Sequence, residues 1–377
     1  MFINIFNCIK FMVSIIGAGP AGNYTGYLFA KNGYKTRIFE EHKTIGKPVQ
    51  CTGITTLYLG NILENVNSNE EFVINNITET VVYSPDNNYV DIKLKRNYVV
   101  DRTLFDSYFG ELAKSEGAEV ILGKKFIDLE NNGNIKIKFN DNSIYEDNIL
   151  IGADGPFSQV AKSAGIYGDR KFALGAQARI KMKEKIDSSV VEFFLGEGYF
   201  GWLVPEDDRI ARVGTASMGK AKYYFDNLKK IRDGEILEWQ SGPIPVYNHR
   251  LTTEKDNLYL VGDAATQVKA TTYGGIIPGM MAAEELFKAV KNGNSYQKLW
   301  KKRIGTDLWI HLMMRRIFEK FGDPDYNKLI GLVNKDTIKK IITTHDREFP
   351  SKMVTKLLIR EPRFLTYLKY LIPIGVN

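Results

Sequence analysis

From Val13 to Ile16 the chain is almost wholly apolar and stops at a glycine-rich turn, the pattern of a strand buried on both faces. A helical stretch follows to about Asn32, then a turn at Gly33 and a second strand that ends at Glu40. Three later segments share this alternation of strand, turn and helix. "YVVDRTLFDSYFGELAKSEGAEVILG" predicts a helix that starts near Asp101, whose side chain can cap it. "NILIGADGPFSQVAKSAG" places Asp154-Gly155 at one strand end, and "DNLYLVGDAATQV" places Gly262-Asp263 at another. Between them lie "EFVINNITETVVYSPDNNYVDIKLK" and a longer run from Phe172 to Ala216, whose period-two alternation and turn punctuation predict antiparallel strands. After about residue 296 the pattern is helical, broken near Gly322-Asp323-Pro324 and near Pro350. The chain is therefore α/β, with no internal repeat and no low-complexity linker.

The first turn reads Gly17-x-Gly19-x-x-Gly22. Gly17 permits the tight turn, Gly19 lets backbone approach a pyrophosphate, and Gly22 allows close packing of helix on strand. The helix start offers unpaired N–H groups to the anion. Glu40, about twenty residues on, is placed to accept from a ribose hydroxyl. Strand, turn, helix, second strand and terminal acid in this order predict a Rossmann-type dinucleotide site.

Together the glycine fingerprint, Arg102 in the first turn after Asp101, Asp154-Gly155 and Gly262-Asp263 resemble the FAD-binding pattern of the aromatic hydroxylase superfamily. The resemblance implies one extended FAD that uses both glycine-rich turns. Its adenosine end lies on the first turn, with Gly17, Gly19, Ala21, Gly22 and Glu40 as contacts. The Gly262-Asp263 turn holds the ribityl and pyrophosphate, Gly275 and Ile276 at the following helix start face the isoalloxazine, and Arg102, Phe126 and Asp154 are further FAD contacts. Taken alone, Asp154-Gly155 also fits an ordinary strand-to-helix turn, and Arg102 an ordinary surface arginine. Residues 12–68, 98–168 and 256–295 then form the FAD-binding domain. Residues 69–97 and 169–255 form an interleaved antiparallel-sheet substrate domain, and 296–377 a helical C-terminal region.

Two more stretches, "KPVQCTGITT" and "YFGWLVPEDDRIARVGTA", resemble the geranylgeranyl reductase family, whose archaeal members saturate the isoprenoid chains of digeranylgeranylglycerol phospholipids. The likeness spans most of the first 290 residues and assigns Cys51, Thr52 and Gly53 to the flavin and Tyr199, Trp202 and Pro205 to substrate. The chain departs from that pattern at Val204, where an aromatic is usual, and at Glu206, where lysine is common. In the second turn Ala270 replaces proline and Tyr273 replaces glycine. On a strand Tyr199 and Gly201 face one side and Phe200 and Trp202 the other, and either side suits an apolar tunnel or plain sheet core. Cys51 reads as a buried small hydrophobe or as a group at the flavin. The implied chemistry is reduction of carbon-carbon double bonds, with Cys51, Tyr273 or water as the proton source. The electron donor is external: a nicotinamide (NAD(P)H), a deazaflavin or a ferredoxin. Two rivals use the same segments, an FAD monooxygenase of a compact aromatic substrate and a non-catalytic prenyl-binding protein similar to Rab escort proteins. The second requires an eroded cofactor site, whereas Gly17, Gly19, Gly22, Glu40 and Asp263 are intact.

Charge alters this picture at one end only. Residues 301–377 carry 16 basic against 8 acidic side chains, and the first 300 residues 35 against 36. The basic excess reads as a solvated helical face or as a surface for anionic lipid headgroups, with no motif for nucleic acid. Two cysteines, Cys8 and Cys51, build no disulfide framework, and the four histidines have no metal spacing. No apolar run reaches the length of a membrane span, and "MFINIFNCIKF" lacks the marks of a signal peptide, so Met12 is an expected alternative start. The expected setting is cytoplasmic, peripheral to the membrane.

Overall fold

The computed structural model describes residues 11–66, 68 and 70–372, so Cys8 and the last five residues of the C-terminal region lie outside the described residues. A six-stranded sheet has the order Glu254–Lys255, Leu258–Leu260, Ile149–Gly152, Met12–Ile16, Lys35–Glu40, Glu119–Leu122, and is parallel except for its first pair. Its central strands bury both faces, as their apolar runs require. Val13, Ile15, Ile149 and Ile151 meet the helices Pro20–Lys31, Arg102–Ser115 and Ile276–Asn292. Ile16, Phe39, Leu150 and Leu260 face the other way, onto a three-stranded meander spanning residues 126–147. Asp101 caps its helix as the sequence suggests, accepting from the Leu104 N–H at 2.9 Å.

An eight-stranded sheet has the order Gly234–Pro245, Phe172–Met182, Ile210–Ser217, Tyr199–Pro205, Val190–Gly196, Val73–Tyr83, Tyr89–Val100, Ile54–Thr55. It is not uniformly antiparallel, because Val73–Tyr83 and Val190–Gly196 pair in parallel. These strands come from two separate excursions out of the parallel sheet, and no hairpin links them to impose the antiparallel sense. Ile54–Thr55, early in the chain, joins this sheet's edge. The segment Cys51–Gly53 just before it therefore lies where the two sheets meet.

One face of the larger sheet, with Ala178, Phe194, Leu203 and Val213, is covered by Phe225 and Leu228 of the helix Ala221–Ile231. The other face carries Ile77, Val99, Phe200, Trp202 and Val204, with Phe193, Leu195 and Tyr273 packed beside them. C-terminal helices close its far end, where Ile330 packs on Val90 and Ile92. Those helices, Thr306–Phe318, Asp323–Val333, Asp336–Thr344 and Ser351–Arg360, break at Gly322-Asp323-Pro324 and at Pro350 as expected, and once more at Asn334-Lys335, where neither residue is proline or glycine. Among the described residues no helix is long and apolar enough to cross a membrane.

Candidate functional site

The two glycine-rich turns meet at Ala21, whose Cβ lies 3.0 Å from where a Cβ on Gly262 would stand. Gly17 has φ +105°, and a Cβ there would lie 2.4 Å from the Ala153 carbonyl oxygen. At Gly22 a Cβ would lie 2.0 Å from the Gly17 oxygen, so any side chain forces the turn apart. From the second turn, a Cβ on Gly279 would lie 3.1 Å from Gly262 Cα and 3.3 Å from Ala21 Cβ. Glycine at 262 and 279 keeps this contact between distant segments close, and a side chain at 279 would push its neighbours by a few tenths of an ångström. Gly19, in contrast, opens on free space, with no atom within 4 Å of where its Cβ would be. Glu40 stands at the end of the neighbouring strand, its Oε2 accepting from the Ala18 N–H at 2.8 Å and its Oε1 from the His42 N–H at 3.0 Å.

Asp263 follows Gly262, and among the described residues its carboxylate takes no hydrogen bond. Burial pushes its pKa up to about 6, partly countered by the charge of Arg102. Arg102 is itself held by a fork onto Asp106, at 3.0 and 2.8 Å. Burial disfavours the Arg102 charge, yet Asp106 and the neighbouring Cys51 more than offset this and hold its pKa above the usual value. An FAD fits these residues. The open face at Gly19, the helix start at Pro20, the Glu40 carboxylate and an unengaged Asp263 carboxylate supply a phosphate seat and two hydroxyl acceptors along one edge.

The raised Asp263 pKa has a measurable consequence. The folded chain holds this proton more tightly than the unfolded chain, so stability falls as pH rises from the ordinary aspartate value of 3.8 to about 6 and stays lowered above it. Asp263→Asn is expected to stabilise the FAD-free chain at neutral pH and to flatten that slope in urea titrations run across the window. An unchanged slope would place the titrating group elsewhere.

Not every expected cofactor residue points to this edge. Asp154 uses both oxygens as a helix cap, accepting from Ser158 Oγ at 2.6 Å and the Val160 N–H at 2.9 Å. Phe126 is buried among Phe139, Ile135 and Val160 in the meander core. Gly275 abuts Asp263, and Ile276 opens the second helix.

The residues expected at the substrate divide between the two faces of the larger sheet. Trp202 lies on the face shared with Tyr273, whereas Tyr199 stacks on Tyr224 at 4.6 Å on the opposite face. Pro205, of the same parity as Tyr199, is likewise not brought together with Trp202. Trp202 Nε1 and Thr52 Oγ1 both donate to Gln177 Oε1 at 2.7 Å, and Gln177 donates to Gln240 at 2.5 Å. Arg212 donates to the carbonyls of Thr52 at 2.6 Å and Val100 at 2.9 Å. Glu206, the residue standing in place of lysine, pairs with both Arg212 at 2.8 Å and Arg179 at 2.7 Å. Sequence reasoning missed Gln177, Gln240 and Arg212, because polar residues in an alternating run predict a solvent face. Beyond Arg102 a cavity of about 1030 Å³ has a mixed lining, with charged and polar side chains such as His42, Lys47, Arg179, Glu206 and Arg212 beside Pro48, Val49 and Ile74. Arg179, Arg212 and Gln240 are cross-strand neighbours on the face that carries Trp202 and Val204, so this polar lining continues from the apolar patch of Phe200, Trp202 and Val204.

A family model described as an FAD binding domain matches residues 10–205. A digeranylgeranylglycerophospholipid reductase of Methanocaldococcus jannaschii is 29% identical over 395 residues, covering 96% of this chain and 98% of that protein. Digeranylgeranylglycerophospholipid reductase 3 of Methanosphaera stadtmanae is 30% identical over 371 residues, covering 88% and 92%. Among solved structures, a geranylgeranyl bacteriochlorophyll reductase-like protein of Thermoplasma acidophilum has the same fold, with TM-score 0.81 and 24% identity over 96% of this chain and 99% of that one. A flavin-dependent brominase also superposes, with TM-score 0.74 and 16% identity over 95% and 99%, so the fold alone does not select the reaction. With its glycine-rich cradle intact, the chain belongs to the FAD binding domain family and, within it, to the digeranylgeranylglycerophospholipid reductases.

Proposed function

We propose that this chain is an FAD-dependent reductase that saturates carbon-carbon double bonds of geranylgeranyl chains in archaeal digeranylgeranylglycerophospholipids. The observation that carries this reading is the apolar face of Phe200, Trp202, Val204 and Tyr273 beside a complete FAD cradle. The cofactor, when bound and reduced, supplies hydride to one alkene carbon. An isolated alkene has no carbonyl to polarise, so the protein's work is to orient the chain, keep water out and deliver a proton. Trp202, fixed through Gln177 to Thr52, sets the distance between the sheet and the Cys51–Gly53 segment. Burial pushes the Tyr273 phenol up, so it keeps its proton, and its ring packs beside Trp202 on the apolar face. The Cys51 thiol, adjoining Arg102, is the proton donor this reading favours for the second carbon, with Tyr273 and water as the other sources. The electron donor is external, and the lipid is met at an anionic membrane surface through the basic C-terminal region.

Mass spectrometry of the products tests the reaction. Incubated with reductant and an unsaturated lipid, the holoprotein is expected to give products heavier by two hydrogens per reduced bond. Products that gain an oxygen atom would replace this reading with the monooxygenase one.

A further inference from the structure

We infer that the C-terminal helical region is part of the flavin site, with Arg315 as a positioning residue that holds the ring-facing turn 269–275 in shape. This rests on the FAD reading above. Arg315 is 7% exposed, on the last turns of the helix Thr306–Phe318, and among the described residues it forms no ion pair. Its Nε donates to the Ala270 carbonyl and its Nη2 to the Thr271 carbonyl, both at 2.8 Å. The same guanidinium lies 4.7 Å from the centre of the Tyr273 ring. One side chain therefore grips three of the turn's residues.

The turn needs such a grip. Tyr273 has φ +58°, a left-handed conformation that strains a residue with a Cβ. Ala270 supplies none of the rigidity of a proline, and Tyr273 none of the freedom of a glycine. The turn's own bonds are few, with the Lys269 N–H donating to Gly274 at 3.1 Å and the Tyr273 N–H to Lys269 at 2.8 Å. The remaining anchors come from the same C-terminal region. Lys269 pairs with buried Glu348, and Thr271 Oγ1 meets His311 Nδ1 at 2.6 Å. Burial pushes His311 down to about 3, so its ring is a neutral partner. A Cβ on Gly275 would lie 2.7 Å from Asp263 Oδ1, so a shift of the turn also moves the surroundings of Asp263. Lysine cannot replace Arg315, since a point charge does not span two carbonyls and stack on a ring.

Arg315→Lys and Tyr273→Leu in the full chain test this. The first removes the fork, and the second removes the ring while leaving the fork in place. Each is expected to speed amide exchange at position 273 about tenfold or more in the FAD-free chain, with exchange in the three-stranded meander of residues 126–147 unchanged. In the FAD-loaded chain each is expected to lower kcat about tenfold or more and to shift the flavin visible spectrum, with the KM for lipid within about threefold in Arg315→Lys. Wild-type exchange, spectrum and kcat in Arg315→Lys would overturn the inference, as would an activity loss that only tracks lost FAD. Should Arg315→Lys fail to fold, Tyr273→Leu decides by the same readouts. Failure of the FAD reading is distinct, since the wild-type chain would then take up no FAD while the exchange effect is still measured.

Discussion

Arg212→Met is expected to lower folding stability by about 3–5 kcal/mol, the cost of breaking one side of a buried ion pair. The side chains of Arg212 and Glu206 are 5% and 8% exposed. Removing the guanidinium strips the donor from two buried carbonyls, Thr52 and Val100, and leaves Glu206 with Arg179 alone. Arg179 is 38% exposed and screens that carboxylate less well. The damage extends beyond stability. Gly53 has φ +71°, and the space its Cβ would take lies 2.6 Å from Arg212 Nη1 and 2.4 Å from the Val100 oxygen. Arg212 is thus the floor on which Cys51–Gly53 rests, and FAD retention should fall with stability. Urea denaturation and the FAD content of the purified variant check both parts. The double variant Arg212→Met with Glu206→Leu should recover part of the loss, since apolar replacement of a whole buried pair is often neutral. A single-variant loss below about 1 kcal/mol would mean that water reaches these carbonyls.

The features legible in the sequence were those written in short, local patterns. Gly17, Gly19 and Gly22 signal a turn because each has a separate steric reason within six residues, and Asp101 announces its helix three residues ahead of the bond it accepts. The breaks at Pro324 and Pro350 are local in the same way. What stayed hidden depends on pairings across the chain. The parallel pairing of Val73–Tyr83 with Val190–Gly196 joins segments more than a hundred residues apart, and nothing in either strand encodes its partner. Arg212 and Gln177 occupy the positions where alternation predicts solvent, and they are buried because the Cys51–Gly53 segment folds over them. Asp154 carries a motif-like signature whose side chain is engaged locally as a cap. Arg315 has no local mark at all, since its partners are carbonyls more than forty residues away.

The chain should bind anionic vesicles in a salt-sensitive manner and leave zwitterionic vesicles largely alone. Lys352, Lys356 and Arg360 follow one another at four-residue spacing along the helix Ser351–Arg360, and all three are exposed. Lys369 is exposed on the next segment, but Arg363 is held by a fork onto Glu361 at 2.6 and 2.8 Å and contributes less. Close to these charges stand exposed apolar side chains, Ile359 at 71%, Leu365 at 47%, Leu368 at 45% and Ile372 at 65%. Cations beside exposed apolar groups suit the boundary between headgroups and acyl chains. Each unpaired cation near an anionic bilayer is worth about 1 kcal/mol, so four together give roughly three orders of magnitude in affinity. The attraction fades over a Debye length of about 8–10 Å at moderate salt, so added salt should release the protein. Replacing Lys352, Lys356, Arg360, Arg363 and Lys369 by Gln is expected to abolish vesicle binding, read by co-sedimentation, while reduction of detergent-dispersed lipid continues. Equal binding to both vesicle types would reduce the basic excess to a solvated face and leave the apolar side chains as the sole membrane contact.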